Sequence, residues 1–125
     1  MFVSSEILIF GSEPECAHTL CLLRGLFPGG KEWRVTSTDD SDILRSHLVD
    51  GRPDVVIVVE NGAAGMEAVY LVRRYSDRIQ IFWFSDDPDF GVQSHRLDCN
   101  YFAAKPLTPE KLQRALRRCF PGTRA

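Results

Sequence analysis

Short runs of apolar residues alternate along the chain with segments of helical periodicity. The clearest runs are Glu6–Phe10, Asp54–Val59 and Ile79–Phe84, and the second of these has no polar residue after its first position. An uninterrupted apolar run of this length is typical of a strand buried on both faces, as in a parallel sheet. Two shorter strands are predicted at Trp33–Ser37 and Asn100–Ala103.

Five helices are predicted between and after these strands. The first, Pro14–Phe27, has a proline suited to its first turn, and Pro28-Gly29-Gly30 ends it. The turn from Asn61 to Gly65 is predicted to be a mobile loop that precedes the third helix. The remaining helices are predicted at Asp40–Val49, Met66–Tyr75, Asp87–Leu97 and after a capping Thr108.

The strict alternation of five strands and five helices predicts one α/β domain over residues 1–125. Right-handed crossovers give an open, doubly wound parallel sheet that is covered by helices on both faces. Functional groups in such sheets lie at the carboxyl ends of the strands, near the point where the strand order reverses. The residues expected there are Gly11–Glu13, Val59–Asn61, Ser85–Asp86 and Ala104–Pro106.

Composition narrows the class of protein. Hydrophobic residues make up 44% and charged residues 26%, as in an ordinary globular domain, and the net charge is −2. Such a charge gives no general attraction to nucleic acid or to an anionic membrane. The basic residues concentrate near the end of the chain, where residues 105–125 hold six of them against one acid. Favourable charge near a helix C-terminus explains them better than a docking surface does.

The cysteines and the apolar runs indicate in which cellular compartment the protein works and whether it binds a metal or cofactor. The four cysteines form no C-x-x-C pair and have no histidine cluster nearby, so zinc and thiol redox chemistry are disfavoured. They are interpreted as small buried hydrophobes in a reducing compartment. No apolar run approaches the length that crosses a bilayer. We therefore predict a cytoplasmic protein with no metal and no cofactor.

Several motifs lie at or near the predicted strand ends. Gly11-Ser12-Glu13-Pro14 follows the first strand, and Pro53-Asp54-Val55-Val56 and Gly65-Met66-Glu67-Ala68 flank the end of the third. Lys105-Pro106 follows the fifth strand and is followed in turn by Thr108-Pro109-Glu110-Lys111-Leu112. These motifs resemble those of one signalling family, the receiver domains of two-component response regulators of the chemotaxis type, and Lys105-Pro106 with the stretch after it is the most specific match. In that family the first strand ends in an acid-rich run, and stretches similar to the two around the third strand flank the phosphoacceptor. The resemblance implies a bacterial protein with a flavodoxin-like (βα)5 fold in strand order 2-1-3-4-5.

The acids that the family uses are missing. Counting back from Gly65-Met66 places the phosphoacceptor position on Glu60, whereas counting forward from Pro53-Asp54 places it on Val59. We favour Glu60, because a polar residue suits a strand end. The acid pair that holds Mg²⁺ in the family is replaced by Gly11 and Ser12, and Glu13 lies one position beyond the pair.

The residues that respond to phosphorylation in the family have counterparts here. By the resemblance these switch positions are Ser85, Phe102 and Lys105. We expect Glu60 to pair with Lys105 and to accept a hydrogen bond from Ser85, in a fixed active-like state. The alternative for Lys105 is simple neutralisation of Glu60, for Ser85 capping of the next turn, and for Phe102 core packing.

These features predict a non-enzymatic signal-transduction module that works through protein contacts, independently of phosphorylation. One alternative is a working phosphoacceptor with atypical acids, and another is a flavodoxin-like domain that binds a small molecule. The partners implied by the resemblance are a histidine kinase or another signalling protein. A homodimer would use the face formed by the fourth helix, the fifth strand and the fifth helix, where Lys111, Arg114 and Arg118 lie.

Overall fold

Five parallel strands form the centre of the protein. A computed structural model describes residues 5–26 and 33–119, except for the side chains of Ser5 and Cys119. The strands are β1 (Ser5–Phe10), β2 (Trp33–Thr38), β3 (Val55–Val58), β4 (Gln80–Ser85) and β5 (Tyr101–Ala104). The helices are α1 (Glu13–Leu26), α2 (Ser41–Asp50), α3 (Gly62–Tyr75), α4 (Gly91–Arg96) and α5 (Pro109–Cys119), and a 3₁₀ turn (Pro88–Phe90) precedes α4.

The strand order is β2-β1-β3-β4-β5, and every neighbouring pair is parallel. The predicted doubly wound α/β fold and its order are therefore confirmed. Phe10 at the end of β1 lies opposite Thr38 on one side and Val58 on the other. The order reverses around β1, so the carboxyl ends of β1 and β3 border the crevice where such folds place their functional groups.

Alternating strand residues build two apolar layers, one on each face of the sheet, because successive side chains point to opposite faces. Ile9, Ile57 and Phe84 pack with α1 and α5 on one face. Leu8, Val56 and Trp83 pack with α2 and α3 on the other. All four residues of β3 are buried, as the apolar run predicts. Within the described ranges, no helix is both long and apolar enough to cross a membrane.

The third helix begins earlier than predicted. It starts at Gly62 rather than Met66, so the residues predicted as a mobile loop form its first turn. The helix can pack this tightly because Gly65 has no side chain, and a Cβ there would collide with the carbonyl group of Glu60. Gly62 has a positive φ of 62°, which glycine adopts without steric penalty.

Other boundaries differ by smaller amounts. The predicted helix over Asp87–Leu97 is divided into the 3₁₀ turn and α4. Asp40 caps α2 by accepting a hydrogen bond from the Asp42 amide at 2.8 Å, and the predicted Thr108 cap of α5 accepts one from the Lys111 amide at 3.2 Å. Phe27 and the predicted stop at Pro28-Gly29-Gly30 lie outside the described residues.

One arginine links two connecting segments at the amino-terminal side of the sheet by hydrogen bonds. The guanidinium of Arg73, near the end of α3, donates to four backbone carbonyl groups at 2.7–3.3 Å. These carbonyls belong to Leu97, Ser76, Ile79 and Asp98. Because the planar group serves two separate connections at once, it ties the end of α3 to the turn between α4 and β5.

Replacing Arg73 with methionine should lower the free energy of unfolding by about 1.5–3 kcal/mol, since charge-assisted bonds to several carbonyls are lost. Urea denaturation measures the change. Arg74→Met is the matched control, because Arg74 is the exposed neighbour on the same helix, and it should change stability by less than about 0.5 kcal/mol. Equal losses for the two variants would contradict this role of Arg73.

Candidate functional site

The residues that follow β1, β3, β4 and β5 meet at the carboxyl edge of the sheet, as the topology predicts. The clearest link is Lys105, which follows β5 and reaches the end of β3 across the edge. A second link runs from Asp86, just after β4, to the Gly62 amide at the start of α3, over 3.3 Å. We call this set of loops and strand ends the carboxyl edge.

Lys105 is the centre of this edge. Its ammonium nitrogen lies 2.8 Å from Glu15 Oε2, 2.6 Å from the Val59 carbonyl oxygen and 2.6 Å from Asn61 Oδ1. An ammonium group has three protons to donate, so these three acceptors satisfy it fully. Only 12% of the lysine side chain is exposed. The protein itself, rather than water, therefore compensates the charge.

The predicted ion pair between Lys105 and Glu60 is wrong. The lysine pairs with Glu15, on the first turn of α1, and Glu60 instead accepts a hydrogen bond from the Asn61 amide at 3.1 Å. Glu60 is turned towards a cleft between α2 and α3 that it shares with Arg45 and other residues. Glu15 lies in the first turn of α1, where an acidic residue is common because it favours the helix dipole, so nothing in the sequence marks it as the partner of Lys105.

Ser85 does not bond to Glu60, so this prediction is also wrong. Its buried hydroxyl accepts a hydrogen bond from the Asp87 amide at 3.1 Å and lies 3.5 Å from Asp86 Oδ1. The alternative prediction, in which Ser85 caps the turn that follows β4, is confirmed.

The ends of β1 and β3 are in direct contact at Gly11. A Cβ added to Gly11 would lie 2.6 Å from Cγ2 of Val59 and 3.2 Å from its carbonyl carbon. Val59 is fully buried, and its amide continues the ladder by donating to the Phe10 carbonyl at 2.8 Å. Val59 thus fills the space that a side chain on residue 11 would need. Ser12 is half-buried, and Glu13 is exposed at the start of α1.

Phe102 belongs to an aromatic cluster beside the edge. Its ring meets Trp83 edge-on with centroids 5.3 Å apart, and Phe90 stacks on Trp83 at 5.4 Å. Such pairs add stability beyond their buried area. The predicted core packing of Phe102 is therefore confirmed in part, since its side chain is half-buried.

Three carboxylates act on the Cys16 thiol near this edge. Burial raises the pKa of the Cys16 thiol, and the nearby carboxylates of Asp39, Glu60 and Glu15 raise it further. Cys99, away from this edge, has its pKa raised to about 12, chiefly by burial. Thiolates are the reactive form, so neither thiol is activated as a nucleophile at neutral pH.

The residues of the edge do not fit the Mg²⁺ ion that receiver domains use. Mg²⁺ needs hard oxygen ligands converging on a small octahedral site. Here Gly11 offers no side chain, Glu15 is held by Lys105, and Glu60 is held by the Asn61 amide. Among the residues that the structure describes, no group of three or more His, Cys, Asp or Glu could hold a metal ion.

The chain is similar to known proteins in its three-dimensional structure. No protein-family model matches the chain, and no curated protein matches it. A response regulator receiver domain protein from Clostridium thermocellum is 17% identical with a TM-score of 0.74, covering 94% of this chain and 94% of that chain.

Two further solved structures are similar. The Vibrio cholerae chemotaxis protein CheY4 is 18% identical with a TM-score of 0.72, over 93% of this chain and 98% of that one. A LuxR-family two-component response regulator from Aurantimonas is 19% identical with a TM-score of 0.71, over 98% and 89%. Likeness at such identities establishes the fold, which is that of response regulator receiver domains.

Substituting alanine for Gly11 should lower the free energy of unfolding by about 1–3 kcal/mol, because the new methyl group overpacks a buried contact. In a Val59→Ala background the penalty should shrink, with a coupling of at least about 0.5 kcal/mol. The rescue stays partial, since backbone atoms of Val59 and Glu60 also lie within 3.2–3.3 Å of the added carbon. Chemical denaturation of the two single variants and the double variant measures the coupling, and strictly additive losses would refute the contact.

Proposed function

We propose that this chain is a signal-transduction module with a receiver-type domain over residues 1–125, and that it acts through protein contacts without accepting a phosphoryl group. The fold supports the first half, because the similar structures are response regulators and receiver domains. The carboxyl edge supports the second half. In this proposal the protein is not an enzyme and works in the cytoplasm of a bacterial cell, with a histidine kinase or another signalling protein as its partner.

The saturated ammonium of Lys105 carries the proposal. A lysine at this position can assist a phosphoryl group only by donating to its oxygens. Here all three donor directions are already used by Glu15, Val59 and Asn61. A phosphoryl group could gain this lysine only by displacing a bond that the folded protein already makes.

The position of Val59 adds a second support. We propose that Val59, rather than Glu60, occupies the phosphoacceptor-equivalent position, since its carbonyl contacts Lys105 and its side chain faces Gly11. A valine cannot be phosphorylated. Gly11 and Ser12 then occupy the acid-pocket positions, with Glu13 one residue beyond.

The two alternatives have weaker support. Glu60 as an atypical acceptor is disfavoured because its carboxylate is bonded to the Asn61 amide and lies away from Lys105. A flavodoxin-like ligand site is disfavoured because the cleft of about 410 Å³ between α1 and β2 is lined by Glu13 and Asp39. These acids repel the phosphate groups of nucleotides and flavins.

We propose that a homodimer of this chain would use the face formed by α4, β5 and α5. Arg114 and Arg118 are exposed there, whereas Lys111 is turned inward and donates to the carbonyl groups of Ala104 and Pro106. Of the three predicted contact residues, the two arginines are therefore the ones exposed for a charged contact, which salt should weaken.

Incubating the protein with acetyl phosphate and Mg²⁺ should add no phosphoryl group, because the edge has neither a converging acid set nor a lysine with a donor to spare. Intact-mass spectrometry measures this directly. A competent receiver domain in the same reaction is the positive control, and Glu60→Gln is the matched variant. A phosphorylated species that disappears in Glu60→Gln would overturn the proposal in favour of the atypical acceptor.

A further inference from the structure

The start of α3 lacks the side-chain cap that its sequence offers. Asn61 stands at the N-cap position with φ −90° and ψ 159°, the extended backbone typical of a cap. Its side chain nevertheless makes no cap hydrogen bond. An N-cap asparagine ordinarily accepts a bond from the second or third amide of its helix, which here belong to Ala63 and Ala64.

The missing cap has a visible cause in Lys105. Asn61 Oδ1 lies 2.6 Å from the lysine ammonium, so the oxygen that would cap α3 is used by a cation. A bond from a charged donor is stronger than one from a neutral amide, and the lysine therefore wins this competition. Lys105 and the first amides of α3 thus compete for one side-chain oxygen.

The first turn of α3 is built so that it can change conformation. Its first residue, Gly62, has φ 62° and can reach the ordinary helical region without a steric barrier from a side chain. The Gly62 amide is held at 3.3 Å by Asp86 Oδ1, which follows β4. The Ser85 hydroxyl lies 3.5 Å from the same Asp86 oxygen and accepts a hydrogen bond from the Asp87 amide. The residue after Asn61 is thus connected, through Asp86, to the turn after β4.

We infer that Asn61 is a shared acceptor that couples Lys105 to the start of α3. While Lys105 is held at the carboxyl edge, Asn61 serves the lysine and α3 is uncapped. When Lys105 is drawn away, for example by an acidic group of a bound partner, Asn61 rotates to cap α3 and the first helical turn is stabilised. The exchange needs no covalent step, and it does not depend on whether the chain accepts phosphate.

Amide hydrogen exchange followed by NMR tests this inference on the full chain. In Lys105→Met, the protection of the Ala63 or Ala64 amide should rise about fivefold relative to core amides of the same helix, the size of an ordinary N-cap bond. In the double variant Lys105→Met with Asn61→Ala, the rise should vanish. No rise in the single variant, or the same rise in the double variant, would overturn the inference.

Lys111→Met is the matched control, because Lys111 also donates to carbonyl groups near the end of β5 but not to Asn61. Protection at Ala63 and Ala64 should not change in it, and a similar rise there would overturn the specific role of Lys105.

Asn61→Ala keeps the test decisive if Lys105→Met does not fold. With Lys105 present, Asn61 caps nothing, so its removal should leave the exchange of Ala64 unchanged. A fivefold loss of protection would mean that Asn61 already caps α3 and would overturn the inference. No partner or phosphodonor is needed in these measurements, so they can fail while the proposed function stands.

Discussion

The arrangement of the carboxyl edge depends on one nearly buried ammonium group. Taking the charge of Lys105 out of water is costly unless the protein supplies its acceptors. The acceptors here are Glu15, the Val59 carbonyl and Asn61, which lie on α1, at the end of β3 and at the start of α3. Since the lysine itself follows β5, one cation fixes three other parts of the fold relative to that strand.

At the ends of β1 and β3, Gly11 and Val59 offer Lys105 no carboxylate. The side chain of Val59 instead lies against the backbone at the end of β1. The carboxylate that pairs with the lysine is supplied by Glu15, from the first turn of α1. The negative partner of the lysine therefore lies on a helix, whereas the sequence predicts it after a strand, at Glu60.

The sequence predicts the sheet well and the site poorly, for physical reasons. The strands are specified by local apolar runs such as Asp54–Val59, and their order follows from the family resemblance. The predicted start of α3 is four residues late because glycines such as Gly62 and Gly65 are typical of loops. In the structure, Gly65 allows α3 to approach the backbone of Glu60 closely, and Gly62 begins the helix with a left-handed backbone conformation. The predicted partner of Lys105 is wrong because strand ends alone place Glu60 at the same edge as the lysine. The pairing with Glu15 instead depends on how α1 packs against the sheet.

A saturated cation limits how this edge can respond to any signal. Every proton of Lys105 is used, so a new ligand must replace an existing acceptor. Glu15 is held by its charge, and the Val59 carbonyl is fixed by the strand ladder. Asn61 is the neutral acceptor on a rotatable side chain. The backbone amides of Ala63 and Ala64, in the first turn of α3, are alternative donors for it. The acceptor that costs least to exchange is therefore the one that connects, through Gly62 and Asp86, to the turn after β4.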